Sequence, residues 1–267
     1  MDIETITDAH AEQLASYERD GYAIFRGAIG TDLVTEASAH VDWLKQRHPD
    51  RRGEDLGHDL VASDPFWVRL ISDPRLLDIA GLFVGADIAL FASHYISKEP
   101  FSGKPVLWHQ DGAYWPLEPM QVVTLWLAVD HSTSENGCLR VIPGSHRLEL
   151  QDIRARDDID NVLGSESAIE VDESRAVDLE LAPGDVEVHH ANIVHGSLAN
   201  ESPRRRCGLT IRYIPTSTRI ICEQQPFASA FHLRGELGVN MYQPWPTFLP
   251  GRDFPFAGSK DWTRADS

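Results

Sequence analysis

From Asp87 to about Ile214 the chain is a succession of short apolar runs separated by turn residues, and this rhythm limits the fold more than any other feature. The runs are Ile88–Ile96, Val122–Val129, Cys138–Ile142, Ala176–Leu181, Asp185–His189 and Cys207–Ile214. They are rich in Val, Ile, Leu and aromatic residues, which fit a pleated, half-buried surface. Glu135-Asn136-Gly137, Pro143-Gly144-Ser145 and Ala182-Pro183-Gly184-Asp185 supply turns between them. Many short strands spaced in this way predict a sandwich or a barrel.

The chain before Asp87 has a helical period. Thr7 or Asp8 can cap a helix that runs to about Arg19, with Gly21 just beyond its end. A short strand follows over Gly21–Arg26. Thr31 to Gln46 places Leu33, Val34, Ala37, Val41 and Leu44 near one face of a second helix. Ser63-Asp64-Pro65 and Ser72-Asp73-Pro74 each set a capping residue before a proline in the first turn. Leu148 to Ser174 breaks the strand rhythm and is acidic. Its length predicts a mobile insert near the mouth of a pocket. The tail after Phe227, with Tyr242, Trp245, Phe248, Phe254 and Trp262, is expected to wrap back over the barrel.

Charge narrows the partners. A net charge of −17 repels phosphate backbones and anionic lipid, so neither nucleic acid nor a membrane surface is expected as a partner. No run approaches the length of a membrane span, and the acidic N-terminus has no signal-peptide core. Cys138, Cys207 and Cys222 form no Cys-x-x-Cys pair, which predicts a reducing, cytoplasmic setting.

Chemistry concentrates in Trp108-His109-Gln110-Asp111-Gly112-Ala113-Tyr114-Trp115. On an extended strand His109 and Asp111 point the same way and Gln110 points opposite. Alone, such a pair is more often solvated than metal-bound. His195 can supply a third ligand, and two histidines with one carboxylate form the facial triad of non-heme Fe(II) oxygenases. Arg206 lies eleven residues beyond His195 and opens an apolar strand. Period two puts Arg206, Gly208 and Thr210 on one face, so the missing side chain at Gly208 is expected to leave room for a ligand beside the guanidinium. That fork matches a carboxylate with two hydrogen bonds. His189 and His190 read as core or supporting residues rather than ligands.

Three stretches carry a family resemblance: Tyr95–Asp111 (YISKEPFSGKPVLWHQD), Leu125–His146 (LWLAVDHSTSENGCLRVIPGSH) and His195–Arg206 (HGSLANESPRRR). With Asp20-Gly21-Tyr22 they span residues from about 10 to 215. In this order and spacing the chain resembles the phytanoyl-CoA dioxygenase family of Fe(II)/2-oxoglutarate oxygenases. The resemblance implies a mainly β fold with flanking helices, a double-stranded β-helix or jelly roll of the cupin-like kind. It implies one domain over 1–267: a helical part about 1–86, a jelly-roll core about 87–215 and a C-terminal wrap about 216–267. It implies that His109, Asp111 and His195 bind Fe(II), and that Arg206 holds the distal carboxylate of 2-oxoglutarate with Ser197 and Lys98 as helpers. Trp126 then lines the cosubstrate pocket. Trp115 matches a substrate-lining position of the similar ectoine hydroxylases, and Tyr114, Trp245 and Arg234 are further pocket candidates. The reaction implied consumes O2 and releases succinate and CO2. Because Asp111 fills the position that halogenases of this type leave vacant for chloride, hydroxylation or a related oxidation is favoured. A small-molecule substrate and a monomer or homodimer complete the expectation. The rival reading is a non-oxidative cupin-like metal protein, an isomerase, hydrolase or small-ligand binding module, which needs the metal but not Arg206.

Overall fold

The computed structural model describes residues 10–221 and 231–262. The caps expected at Thr7 or Asp8, and Cys222, lie outside the described residues. Helix α1 is Ala11–Asp20, strand β1 Tyr22–Phe25, and helices α2, α3 and α4 are Thr31–Arg47, Pro65–Ile71 and Pro74–Val84. Next come β2 (Ile88–Lys98), β3 (Val106–His109), β4 (Leu117–Glu118), β5 (Val123–Ala128) and β6 (Leu139–Val141). Strands β7 (Ile153–Ala155), β8 (Ser165–Ser167), β9 (Val177–Leu179), β10 (Val186–His190) and β11 (His195–Ser197) follow. Strands β12 (Arg206–Pro215), β13 (Arg219–Ile220) and β14 (His232–Arg234) end the series.

The strands form a jelly roll. A six-stranded antiparallel sheet has the order β1-β10-β5-β12-β2-β14, and a four-stranded sheet has the order β3-β11-β6-β9. The large sheet is two-faced because its strands alternate. Val123, Leu125, Leu127, Val186, Val188, Cys207, Leu209, Ile211 and Tyr213 join the core beneath the helices. The residues between them, among them Thr124, Trp126, Glu187, His189, Arg206, Thr210 and Arg212, face the interior between the sheets and are also buried. A register shift opposite Phe91 adjusts the far end of β2 against β12.

The helices are held as their sequences predict. Asp64 accepts a hydrogen bond from the Trp67 N–H at 3.0 Å, and Asp73 accepts one from the Arg75 N–H at 3.0 Å. Each precedes a proline at the start of its helix. Three buried polar bonds pin this layer to the sheet. His40 on α2 lies 2.8 Å from Asp64 and 3.2 Å from the Tyr95 hydroxyl. Trp67 Nε1 donates to Ser93 Oγ at 3.0 Å, and the Tyr213 hydroxyl donates to the Ile71 carbonyl at 2.7 Å.

The tail differs from expectation. Strand β14 extends the large sheet, but Phe254 packs on His40 and Phe66, each with ring centroids 5.1 Å apart, and Trp245 stacks on Trp262. Most of the tail thus covers the helical layer and not the barrel, because the outer aromatic faces of α2 and α3 offer the apolar surface its rings need. Arg234 is bound to Asp78 Oδ1 and the Leu77 carbonyl on α4, away from the interior. Among the described residues no helix is long and apolar enough to cross a membrane.

The turn before β10 locks the edge strand β1 to the large sheet. Gly184 has φ +89°, and a Cβ there would lie 2.3 Å from the Ile29 carbonyl oxygen. The next residue, Asp185, accepts from the Gly27 N–H at 2.8 Å, the Ala182 N–H at 3.0 Å and Arg26 at 2.6 Å. Burial raises its pKa, but these donors outweigh burial and hold it below the usual carboxylate range. Asp185→Asn replaces an acceptor of three bonds with a group that carries its own donors. It should destabilise the fold by about 1–3 kcal/mol at neutral pH. A depressed folded pKa stabilises above the unfolded value, so the wild-type advantage should shrink as pH falls through the acid range. Urea unfolding of both proteins at neutral and acid pH measures this, and a difference that does not change with pH refutes the role of the carboxylate.

Candidate active site

Strands β3 and β11 are antiparallel neighbours, and their register sets His195 directly opposite His109. The two rings lie 4.1 Å apart, centroid to centroid. Strand β3 ends at His109, yet Gln110 remains extended with φ −115° and ψ 117° before a 3-10 turn begins at Asp111. Alternation therefore continues one residue past the strand. Asp111 shares the side of His109, and Gln110 points away. One donor atom from each of His109, Asp111 and His195 lies within 4.8 Å of the others.

The two imidazoles are prepared as ligands. His109 Nδ1 lies 2.9 Å from the Leu107 carbonyl, and His195 Nδ1 lies 3.1 Å from the Ile193 carbonyl. A ring nitrogen facing a carbonyl is the one that carries hydrogen, which leaves each Nε2 lone pair toward the centre. Burial pushes the His195 pKa well down, and the neighbouring His109 and His189 push it further, so its neutral, metal-binding form prevails. Asp111 behaves oppositely. Burial raises its pKa, but Arg212, His109 and His189 hold it well below the carboxylate range. Two imidazole nitrogens and one carboxylate oxygen are the donor set of an octahedral site with three places left open.

A second polar cluster lies on the same interior wall. Lys98 Nζ donates to Ser197 Oγ at 2.7 Å and also to the Leu198 carbonyl. Arg206 donates through Nε and Nη2 to the Gly137 carbonyl at 3.0 and 2.7 Å, and its Nη2 lies 3.5 Å from Ser197 Oγ. Both cations are buried. Among the described residues neither has a carboxylate within ion-pair distance. Burial pulls the Arg206 pKa down to about 10, so it remains charged at neutral pH, and burial with the Arg206 charge lowers Lys98 well below its ordinary value. A buried guanidinium beside a buried amine, without an anion, is costly, and the chemistry of this corner fits a small dicarboxylate.

Gly208 corrects one expectation. A Cβ there would lie 2.0 Å from Trp126 Cζ2. The space beside Arg206 is therefore occupied by the indole of Trp126 and is not left open for a ligand. Trp126 crosses from β5 over the backbone of β12 and sets its ring 5.4 Å from the Arg206 guanidinium carbon. The glycine permits an aromatic wall.

The cavity holds about 610 Å³ of space between protein atoms, its mouth included. Its wall includes His109, Asp111, His195, Ser197, Trp126 and Arg206. It also includes residues that sequence reasoning did not assign to a pocket: His94, Thr124, His189, Thr210 and Arg212. Thr210 and Arg212 continue the period of two that begins at Arg206, so the signal was present on the strand. His189 lies 2.8 Å from Glu187 and 3.7 Å from Asp111. Burial lowers its pKa, but the two carboxylates outweigh burial and raise it to about 9.

The insert from Leu148 to Ser174 is partly ordered. Strands β7 and β8 form a hairpin, and Val162 and Leu163 from its loop line the cavity. Gln110 fastens its base. The Gln110 amide donates to the Glu149 carbonyl at 3.3 Å and the Asn192 carbonyl at 2.8 Å, its side-chain oxygen accepts from the Gln151 N–H at 2.9 Å, and its own N–H donates to Ser167 Oγ at 3.0 Å. The Tyr114 hydroxyl lies 2.9 Å from Ser165 Oγ on β8. Trp115 packs on Phe91 and sets its ring 5.4 Å from the Arg212 guanidinium carbon. Neither Tyr114 nor Trp115 is itself part of the cavity wall.

Comparison with known proteins agrees with this geometry. The family model described as phytanoyl-CoA dioxygenase matches residues 9–208. Ectoine dioxygenase of Sphingopyxis alaskensis is 29% identical over 278 residues, covering 92% of this chain and 84% of the relative. The fold resembles the apo form of the non-heme monooxygenase ThoJ, with TM-score 0.75 and 23% identity over 92% of this chain and 91% of that one. It also resembles the epimerase SnoN, solved with Fe3+ and alpha ketoglutarate, with TM-score 0.67 and 23% identity over 88% of this chain and 96% of that one. The family match covers most of the chain and contains His109, Asp111, His195 and Arg206: this protein belongs to the phytanoyl-CoA dioxygenase family.

Proposed function

We propose that the protein is an Fe(II)- and 2-oxoglutarate-dependent dioxygenase that hydroxylates, or otherwise oxidises, an unactivated C–H bond of a small molecule, with release of succinate and CO2. The observation that carries this reading is the pairing of two sites on one cavity: the cluster of His109, Asp111 and His195, and the buried Arg206 beside Ser197, with Lys98 bonded to Ser197 behind it and no acidic partner for either base among the described residues. A non-oxidative metal protein needs the first and has no use for the second.

In this reading His109, Asp111 and His195 hold iron, and Arg206 receives the distal carboxylate of 2-oxoglutarate. Ser197 and Lys98 complete the hydrogen-bond set around that carboxylate, and Trp126 forms its wall. Iron, 2-oxoglutarate and O2 together supply the oxidant. The chain supplies aim and dryness. Val162 and Leu163 cover the cavity with apolar side chains, which excludes water from the reacting end. Trp115 and Tyr114 act on the substrate side, Trp115 over the Arg212 guanidinium and Tyr114 through its bond to the hairpin. The proposal includes a cytoplasmic enzyme, monomer or homodimer, without nucleic-acid or membrane partners. The net charge of −17 and the buried free thiols of Cys138 and Cys207 support that setting.

Anaerobic titration of the Fe(II) protein with 2-oxoglutarate should develop a visible charge-transfer band. In Arg206→Ala the affinity for 2-oxoglutarate should fall on the order of 100-fold, as for loss of one partner from a buried charge pair, while Fe(II) binding stays within about threefold. Equal loss of both would make Arg206 a structural residue. Gly208→Ala should displace Trp126 and with it the guanidinium. Its expected cost is about 1–3 kcal/mol of stability, with weaker 2-oxoglutarate binding. Adding Trp126→Leu should recover part of that stability, and a double variant no more stable than Gly208→Ala would show that the indole is not the obstacle.

A further inference from the structure

The two oxygens of Asp111 face different neighbours. Oδ1 lies 3.3 Å from His109 Nε2 and 4.0 Å from His195 Nε2. Oδ2 lies 3.6 Å from Arg212 Nη2 and 3.7 Å from His189 Nε2. One oxygen thus belongs to the ligand cluster, and the other is turned toward an arginine and a histidine outside it.

Both donors are themselves fixed. Arg212 commits Nη1 to Thr210 Oγ1 at 2.7 Å and to His94 Nδ1 at 2.9 Å, and Trp115 covers its guanidinium. That leaves Nε and Nη2, the edge with which an arginine takes a carboxylate, and Nε is buried without a hydrogen-bond partner. His189 is tied through Nδ1 to Glu187 Oε2 at 2.8 Å, on the same strand and the same interior face. That bond fixes the ring so that Nε2 faces Asp111 Oδ2. His189 Nε2 and Glu187 Oε1 are also buried and unpartnered. Of these, His189 Nε2 and the open edge of Arg212 face Asp111 Oδ2 just beyond hydrogen-bond distance, and a small shift of Asp111 would satisfy them.

The distinction between the oxygens matters because a carboxylate can bind a metal through one oxygen or both. With two histidines and one oxygen, three positions remain, enough for a chelating cosubstrate and a diatomic gas. With both oxygens bound, the last position is lost. We propose that His189, braced by Glu187, and Arg212, braced by Thr210 and His94, are positioning residues that hold the outer oxygen of Asp111 and so restrict it to a one-oxygen bond to the metal. This rests on the reading of His109, Asp111 and His195 as the iron ligands.

Nitric oxide, a stable stand-in for dioxygen, tests the proposal on the anaerobic Fe(II)–2-oxoglutarate protein by its electron paramagnetic resonance signal. His189→Phe removes a donor in nearly the same volume, and Arg212→Gln removes the open edge. In each variant nitric oxide affinity should fall about tenfold or more, while Fe(II) affinity holds within about threefold. His189→Gln, which keeps a donor, should restore most of the loss. Unchanged nitric oxide affinity in His189→Phe and Arg212→Gln overturns the proposal, as does a loss of Fe(II) affinity in step with it. Each variant serves if the other does not fold. A wild-type protein that gives no charge-transfer band with Fe(II) and 2-oxoglutarate refutes the ligand reading itself, which separates the two failures.

Discussion

The structure depends on the strict alternation of one long strand. On β12, Cys207, Leu209, Ile211 and Tyr213 turn toward the helices, and Arg206, Gly208, Thr210 and Arg212 turn toward the interior. The first set lies in the largest apolar core. The second carries two guanidinium groups, both buried, into a low-dielectric space. Keeping charges dry costs several kilocalories per mole per ion unless partners are supplied. Burial of the apolar face, at about 25 cal/mol per Å², is what allows the other face to carry unmet charge. A slip of one residue would exchange the two faces and abolish both the core and the site.

The polar atoms inside the roll are arranged in two ends with the cluster of His109, Asp111 and His195 between. At one end Lys98 and Arg206 bond to carbonyls and a hydroxyl, and no acid answers them among the described residues. At the other, Arg212 and His189 are answered by Asp111 and Glu187. The first end is electrostatically incomplete and the second is nearly balanced. An anion entering the roll would therefore be drawn to the Arg206 end, where its charge would relieve repulsion. Direction of binding is thus set by where acidic side chains are missing as much as by where basic ones stand.

Much of this was legible in the sequence, and the reasons are physical. Asp64-Pro65 and Asp73-Pro74 announce helix starts because a cap and a proline each solve a local problem at a helix N-terminus. The spacing of His109 and Asp111 survives because Gln110 stays extended past the strand end. Other features were not legible because they depend on partners far along the chain. Gly208 looked like space for a ligand, but the atom that fills that space belongs to Trp126 on another strand. The β7–β8 hairpin has strands of only three residues each, exposed throughout on β7 and burying only serines on β8, so no apolar run reveals them. Glu187 reads as an ordinary member of an apolar run and His189 only as a core or supporting residue, since one strand alone does not say which of its faces meets a helix and which meets a cavity.

Gln110 has a wider consequence. It is the single residue between two of the three clustered side chains, and three of its four hydrogen bonds hold the base of the hairpin that roofs the cavity, the fourth going to the Asn192 carbonyl. Roof and floor are therefore one mechanical unit. A guest large enough to lift the hairpin pulls on the peptide that joins His109 to Asp111. Admission of bulk and the spacing of His109 and Asp111 are therefore coupled through this one amide.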